Sequence, residues 1–204
     1  RWQLFGSIGR LNPPVFKEIV HLGWPLCFDY GTEFGALTAA ALLMGRWSTD
    51  WLAAHRIVMT TTELLLMLSW GMSYATAMRT AHKLGAGRPD TAKQVMNLSL
   101  ALNCGLVCLL AVPLWLLPET IAGWYLNPRL PENQGTVQAA IALFKIGVVF
   151  QIFQGFRLSS LGTLQGLRDT YWLATVDFVA HWEIGLGGGY LLGQVLQRQG
   201  MGLW

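Results

Sequence analysis

Charge is scarce in this sequence. Asp, Glu, Lys and Arg make up 12% of its 204 residues while 53% are hydrophobic, against roughly 25% charged in an ordinary soluble domain. That is the composition of a membrane protein. The formal net charge of +3 is too small and too dispersed for nucleic acid, so no nucleic-acid partner is expected. Cysteine is scarce as well. Cys27, Cys104 and Cys108 are odd in number, lie inside apolar runs and lack metal-ligand spacing, which leaves them as small packing residues. The four histidines, His21, His55, His82 and His181, contain no pair one helical turn apart, so no metal site is expected. Two glycine-rich stretches are not nucleotide loops. Gly185, Gly189 and Gly193 repeat every four residues with no strand before them, which suits close helix contact, and the LGAGRPD stretch lacks the lysine and hydroxyl of a phosphate loop, which suits a helix cap and turn. No cofactor is implied.

What the chain does have is long apolar runs and ten tryptophans, residues that collect at both membrane interfaces. The run Gly23 to Met44 is long enough to cross a bilayer and carries Asp29 and Glu33 in its middle. A charged side chain at a membrane helix centre costs roughly 2.5 to 3.5 kcal/mol and is kept where it meets a partner, water or an ion. Four residues apart, Asp29 and Glu33 fall on one helix face.

Taken in order, residues 1–13 form a basic cytoplasmic linker, and 14–204 a partial transmembrane lobe with spans at about 14–44, 51–82, 91–117, 136–167 and 170–196. The first span is long enough to tilt, or to kink near Pro25. Glu63 is the inward candidate of the second span, with Arg56 and Arg79 nearer its ends. Residues 118–135 form the longest polar connection. In the fourth span Gln151, Gln154 and Arg157 recur at helical spacing and form one polar stripe facing protein. The fifth carries Asp177, His181 and Glu183. Lys and Arg are denser on the side holding the N-terminus, the 79–93 loop and the 166–170 turn (Arg1, Arg10, Lys17, Arg79, Lys83, Arg88, Lys93, Arg168) than on the other (Arg46, Arg56, Arg129, Arg198), which places the N-terminus in the cytoplasm. The chain opens at Arg1 without a signal-peptide pattern and ends just after a glycine-bounded turn, so it is expected to be a fragment.

Three stretches carry a family resemblance: GWPLCFDYGTEFGALTAAALL, then AAHRIVMTTTELLLMLSWGMSYATAMRTAHKLGAGRPDTA, then LQGLRDTYWLATVDF followed by IGLGGGYLL. They resemble the multidrug and toxic compound extrusion (MATE) transporters, in particular the C-terminal half of the NorM-like bacterial branch. The resemblance implies an all-α membrane protein of the bacterial inner membrane: five transmembrane helices of a six-helix lobe, numbers seven to eleven of twelve, with the N-terminal lobe as the missing partner. It implies export of cationic or amphipathic drugs in exchange for protons or sodium ions, and no enzymatic activity. Glu33 falls on the family's functional acid in the first helix of this lobe. The aromatic position on the fourth helix is Phe150, but the acid that follows it in the sodium-coupled branch is Gln154 here, a departure that counts against sodium coupling. The fifth helix has Gly187 where the family usually has proline, which implies a helix that bends less or winds more loosely.

Glu33, Asp29, Gln154 and Phe150 are therefore the expected cation-binding or proton-coupling residues, and Glu63, Arg157 and Asp177 the expected cavity residues. The bland alternatives are specific too. Glu33 can be locked in a structural pair with Arg56 or Arg157, Asp29 can reach headgroup water, Glu63 can bond between helices, and Gln154 with Arg157 can form a packing seam. Two rival functions stand beside the exporter. One is a lipid-linked precursor flippase of the same superfamily, which would use a cavity rich in arginine such as Arg56, Arg79 and Arg157. The other is an intramembrane transferase, for which His82 with Asp90 is the one nearby pair.

Overall fold

A computed structural model describes residues 12–195 and 200–204. Most of the expected linker, Arg1, Arg10 and Arg198 of the charge asymmetry, and the end of the expected fifth span at Leu196 lie outside the described residues. Five long helical stretches and their connections make up the described residues, with no strand among them.

Helix α1 spans Pro13–Trp47, with prolines in its first turn, where the missing N–H has no intrahelical acceptor to lose. Pro25 lies inside it, so the carbonyl of His21 has no backbone donor one turn on. The turn expected over 45–50 narrows to one residue. Ser48 donates its N–H to the Met44 carbonyl at 3.2 Å, ending α1, and its hydroxyl accepts from the Asp50 N–H at 3.0 Å, starting α2 (Thr49–Gly85). After a left-handed Gly87, φ 68°, Pro89 opens α3 (Pro89–Leu116).

The polar connection at 118–135 is more ordered than its composition suggests. It contains a short helix α4 (Pro118–Gly123) and a single 3₁₀ turn (Pro131–Asn133). Pro118 and Glu119 suit a first turn, and Ile121 and Ala122 are buried against the core, which supplies the packing that a polar loop lacks. Helix α5 (Gln134–Gly166) follows. A turn with Arg168 in the left-handed region, φ 64°, leads to α6 (Thr170–Phe178). The helix then continues in wide π-type turns over Val179–Gly188 and Leu191–Val195, and α7 (Gly200–Leu203) closes the described chain. The looser winding implied at Gly187 is thus present: the segment has three consecutive glycines, Gly187 to Gly189, and no proline to set a kink.

Helix α5 is the central element. It packs most extensively on α2 and also contacts α3, α4 and α6, while α1 leans on α2 and α6. The α2–α5 approach depends on small residues. A Cβ on Gly162 would sit 2.3 Å from the Ser73 carbonyl oxygen, so only glycine permits that helix separation. One core joins Val58, Ala111, Leu114, Leu143 and Phe144, and a second joins Leu66, Leu158, Leu161 and Leu173.

The amphipathicity of α1 is the reverse of a soluble helix. Its buried residues are Pro25, Asp29, Thr32, Glu33, Ala36 and Met44, whereas Phe16, Ile19, Trp24, Phe34 and Leu42 are exposed. Buried polar groups can bond to one another, and an apolar exterior is stable in lipid. By length and composition alone two helical stretches are apolar enough to cross a membrane, Pro89–Leu116 and Pro131–Gly166. The remaining long stretches, α1, α2 and the segment that begins with α6, hold Asp29, Glu33, Glu63, Asp177 and Glu183.

Candidate functional site

The expected polar stripe of α5 is buried: Gln151 is fully enclosed, Gln154 is 8% exposed, and Arg157 follows one turn later. Arg157 is the hub. Its Nε donates to both carboxylate oxygens of Asp177 at 3.1 Å, and Nη2 donates to Asp177 Oδ2 at 2.7 Å and to Glu33 Oε2 at 3.0 Å. Nη1 donates to Glu33 Oε1 at 3.2 Å and to the Gln154 carboxamide oxygen at 3.4 Å. Two carboxylates from two other helices therefore grip one guanidinium through both oxygens each, the geometry in which arginine binds acids most strongly. Side chains of Arg157, Glu33 and Asp177 are 15%, 10% and 5% exposed, so little water screens the pairs.

Asp29 is the remaining acid, one turn before Glu33 on the same face of α1. It is fully buried, and neither carboxylate oxygen has a donor. It does not reach the surface of the described structure. Its side chain lies against that of Asp177, where two carboxylates offer each other no hydrogen bond but a carboxyl proton on one is accepted by the other. The two helix segments are pinned beside each other at this level. Trp182 Nε1 donates to the Thr32 carbonyl at 3.0 Å, and the Phe28 and Phe178 rings stack with centroids 5.9 Å apart.

Beside the cluster lies a cavity of about 720 Å³, walled by α1, α2, α5, the π segment and α7, and lined by Met59, Phe150, Phe153, Gln154, Arg157 and Trp204 among others. The Trp204 ring meets Phe150 edge-on, and its Nε1 donates to His55 Nδ1 at 2.8 Å. Arg157 is the charged part of the cluster that lines the cavity. No carboxylate is among the described lining residues, so the cavity wall is basic, amide and aromatic where acids were expected.

The structure thus brings Glu33, Asp29, Gln154, Arg157 and Asp177 together, with Phe150 on the adjoining wall. It does not bring Glu63 there. Thr62 and Leu66 are the inward positions of that turn of α2, and Glu63, rotated about 100° from Thr62, is exposed and absent from the cavity lining. Of the two partners open to Glu33, the structure selects Arg157; Arg56 is exposed. Sequence reasoning missed His55, Trp182 and Trp204. Of the sequence signals only the indole content points to the last two, and it assigns them to interfaces.

A family model described as MatE matches residues 25–191. A probable multidrug resistance protein NorM of Deinococcus radiodurans is 33% identical over 199 residues, covering 98% of this chain and 44% of that protein. The multidrug resistance protein NorM of Burkholderia vietnamiensis is 32% identical over 204 residues, 100% of this chain and 44% of the relative. A probable NorM of Pseudomonas aeruginosa is 30% identical over 203 residues, 100% and 42% respectively. The chain therefore spans less than half the length of the curated relatives it matches.

Proposed function

This chain belongs to the MatE family, and on that premise we propose that it forms most of one lobe of a cation-coupled multidrug efflux antiporter of the bacterial inner membrane. The cargo is a small amphipathic or cationic organic compound, the coupling ion a proton or sodium, and the partner a second lobe of the same protein. The observation that carries this reading is the ionic cluster of Glu33, Arg157 and Asp177 standing at the wall of a largely apolar, aromatic cavity. Such groups inside a membrane bundle are expensive, and mark ion or substrate paths where they border a cavity. Phe150, Phe153 and Trp204 supply flat apolar surface for an aromatic cargo, and Gln154 supplies an amide beside it. Exchange follows from sharing: when the cluster takes up its ion, the pairing around Arg157 changes and the wall that the cargo touches changes with it.

The N-terminal end of α1 is assigned to the cytoplasm from the distribution of Lys and Arg, and the five long apolar stretches to membrane spans. Nothing in this reading calls for bond-making chemistry, so the protein is assigned as a transporter and not an enzyme. The flippase alternative ranks second. It requires an arginine-rich cavity, whereas Arg56 and Arg79 are exposed and Arg157 is neutralised by two carboxylates.

Dye efflux by the protein at its natural length in everted vesicles tests the proposal, with proton and sodium gradients imposed separately. One of the two gradients should drive efflux, and Glu33→Gln should abolish it while leaving insertion intact. Driven efflux that persists in Glu33→Gln refutes the role of Glu33; correctly inserted protein that exports under neither gradient refutes the exporter.

A further inference from the structure

We propose that the coupling ion is a proton held between the Asp29 and Asp177 carboxyl groups, and that Arg157 excludes sodium from the neighbouring position. The inference rests on the exporter reading for its transport consequence, but the site itself is argued from geometry.

A sodium ion at Glu33 would need oxygen ligands. Both oxygens of Glu33, both of Asp177 and the carboxamide oxygen of Gln154 already accept N–H groups of Arg157. The guanidinium fills the place between them. Gln154, which offers an oxygen without a charge, adds no incentive for a metal cation to displace it.

Charge then locates the proton. Three carboxylates, Asp29, Glu33 and Asp177, face one guanidinium in a site enclosed by helices. Glu33 and Asp177 each have paired donors; Asp29 has none and is fully buried. A buried carboxylate without a hydrogen bond is far too costly to keep ionised, by several kcal/mol. The other groups around it do not relieve this. Tyr30 on the same helix bonds to Tyr74 of α2 at 3.3 Å, and His181 turns its Nδ1 to the Asp177 backbone carbonyl at 2.9 Å. What Asp29 does have is the Asp177 carboxylate against it. One proton added there forms an O–H on Asp29 that donates to Asp177, satisfies both groups and lowers the excess negative charge by one. Removing it leaves two carboxylates in contact, and their repulsion pushes Asp177 away from Asp29 and alters its pairing with Arg157. Because Arg157 lines the cavity, the cargo wall reads the protonation state of a pair that does not line it.

The test is infrared difference spectroscopy on the protein at its natural length in lipid, recorded across a pH titration, alongside efflux from the same preparation. A protonated carboxyl C=O band should be present, should shift when the aspartates are labelled with carbon-13, and should vanish in Asp29→Asn. That substitution keeps the shape and supplies Asp177 with an amide donor. Efflux should follow an imposed proton gradient, ignore a sodium gradient, and fall to background in Asp29→Asn. The labelling experiment on the unsubstituted protein stands even where the variant does not fold. Absence of any label-sensitive protonated band, a band unchanged in Asp29→Asn, efflux driven by sodium alone, or proton-driven efflux that survives Asp29→Asn would each overturn the proposal. If the unsubstituted protein exports under neither gradient, the exporter reading falls and the spectrum still decides the proton site.

Discussion

Removing the guanidinium of Arg157 should do more damage than removing any other single side chain of the cluster. Arg157→Ala deletes the donors that four carboxylate oxygens and one carboxamide oxygen now accept from, and leaves Glu33 and Asp177 facing each other at a site with little access to water. Breaking a buried ion pair by removing one partner costs about 3 to 5 kcal/mol, mostly because the other charge is left uncompensated. Two carboxylates lose their partner here, which places the expected loss toward the upper end. For a domain of this size, at about 2 to 4 °C per kcal/mol, the melting temperature should fall by about 6 to 20 °C. Thermal denaturation followed by size-exclusion chromatography in detergent reads this directly. The decisive comparison is Arg157→Met with Glu33→Gln and Asp177→Asn, which removes the uncompensated charges along with the guanidinium and should recover most of the loss. A single variant as stable as the parent, or a triple variant no better than the single, would refute the account of the cluster as mutually compensating charge.

Gly162→Ala should destabilise by about 1 to 3 kcal/mol, because a methyl group 2.3 Å from the Ser73 carbonyl forces α2 and α5 apart. Gly105→Ala on α3, where an added Cβ meets open space, should be neutral or stabilising by up to about 1 kcal/mol, so the pair of melting curves separates close packing from helix propensity. Asn103→Ala should cost about 1 to 3 kcal/mol in the same assay, since the buried amide of Asn103 donates to the Gly155 carbonyl and to Ser159 Oγ, both at 2.9 Å, and ties α3 to α5.

The sequence makes some of this legible and hides the rest for definable reasons. Spacing along one helix is enough to put Asp29 beside Glu33 and to align Gln151, Gln154 and Arg157, because helix geometry alone relates residues three and four apart. Asp177 is read as a cavity residue, but its partnership with Arg157 depends on how α6 crosses α5, which no local pattern encodes. The direction of Glu63 fails for a related reason. A helix apolar on nearly every side has no strong face, so its rotation is set by small-residue contacts, and Ser69, Ser73, Thr76 and Thr80 of α2 all turn inward. The expected close contact of the glycine seam is present at Gly189 and Gly193, which pack against Leu203 and Gly202 of α7, but the seam gives no hint of the equally close approach of α5 to α2 at Gly162. The short helix at Pro118–Gly123 was hidden by its polar setting, since two buried residues, Ile121 and Ala122, suffice to order it.

A cation that belongs to the chain obeys different mass action from one that arrives from solution. A mobile ion occupies its site in proportion to its concentration, and dialysis or a competing salt can empty it. Arg157 is delivered to Glu33 and Asp177 by the backbone of α5, at an effective concentration of millimolar order or above that no change in the bath can alter. Dilution leaves that positive charge in place. What the surroundings can still change is whether the acids remain free to hold it, so a protein built this way is responsive to acidity and indifferent to salt at its most highly charged point.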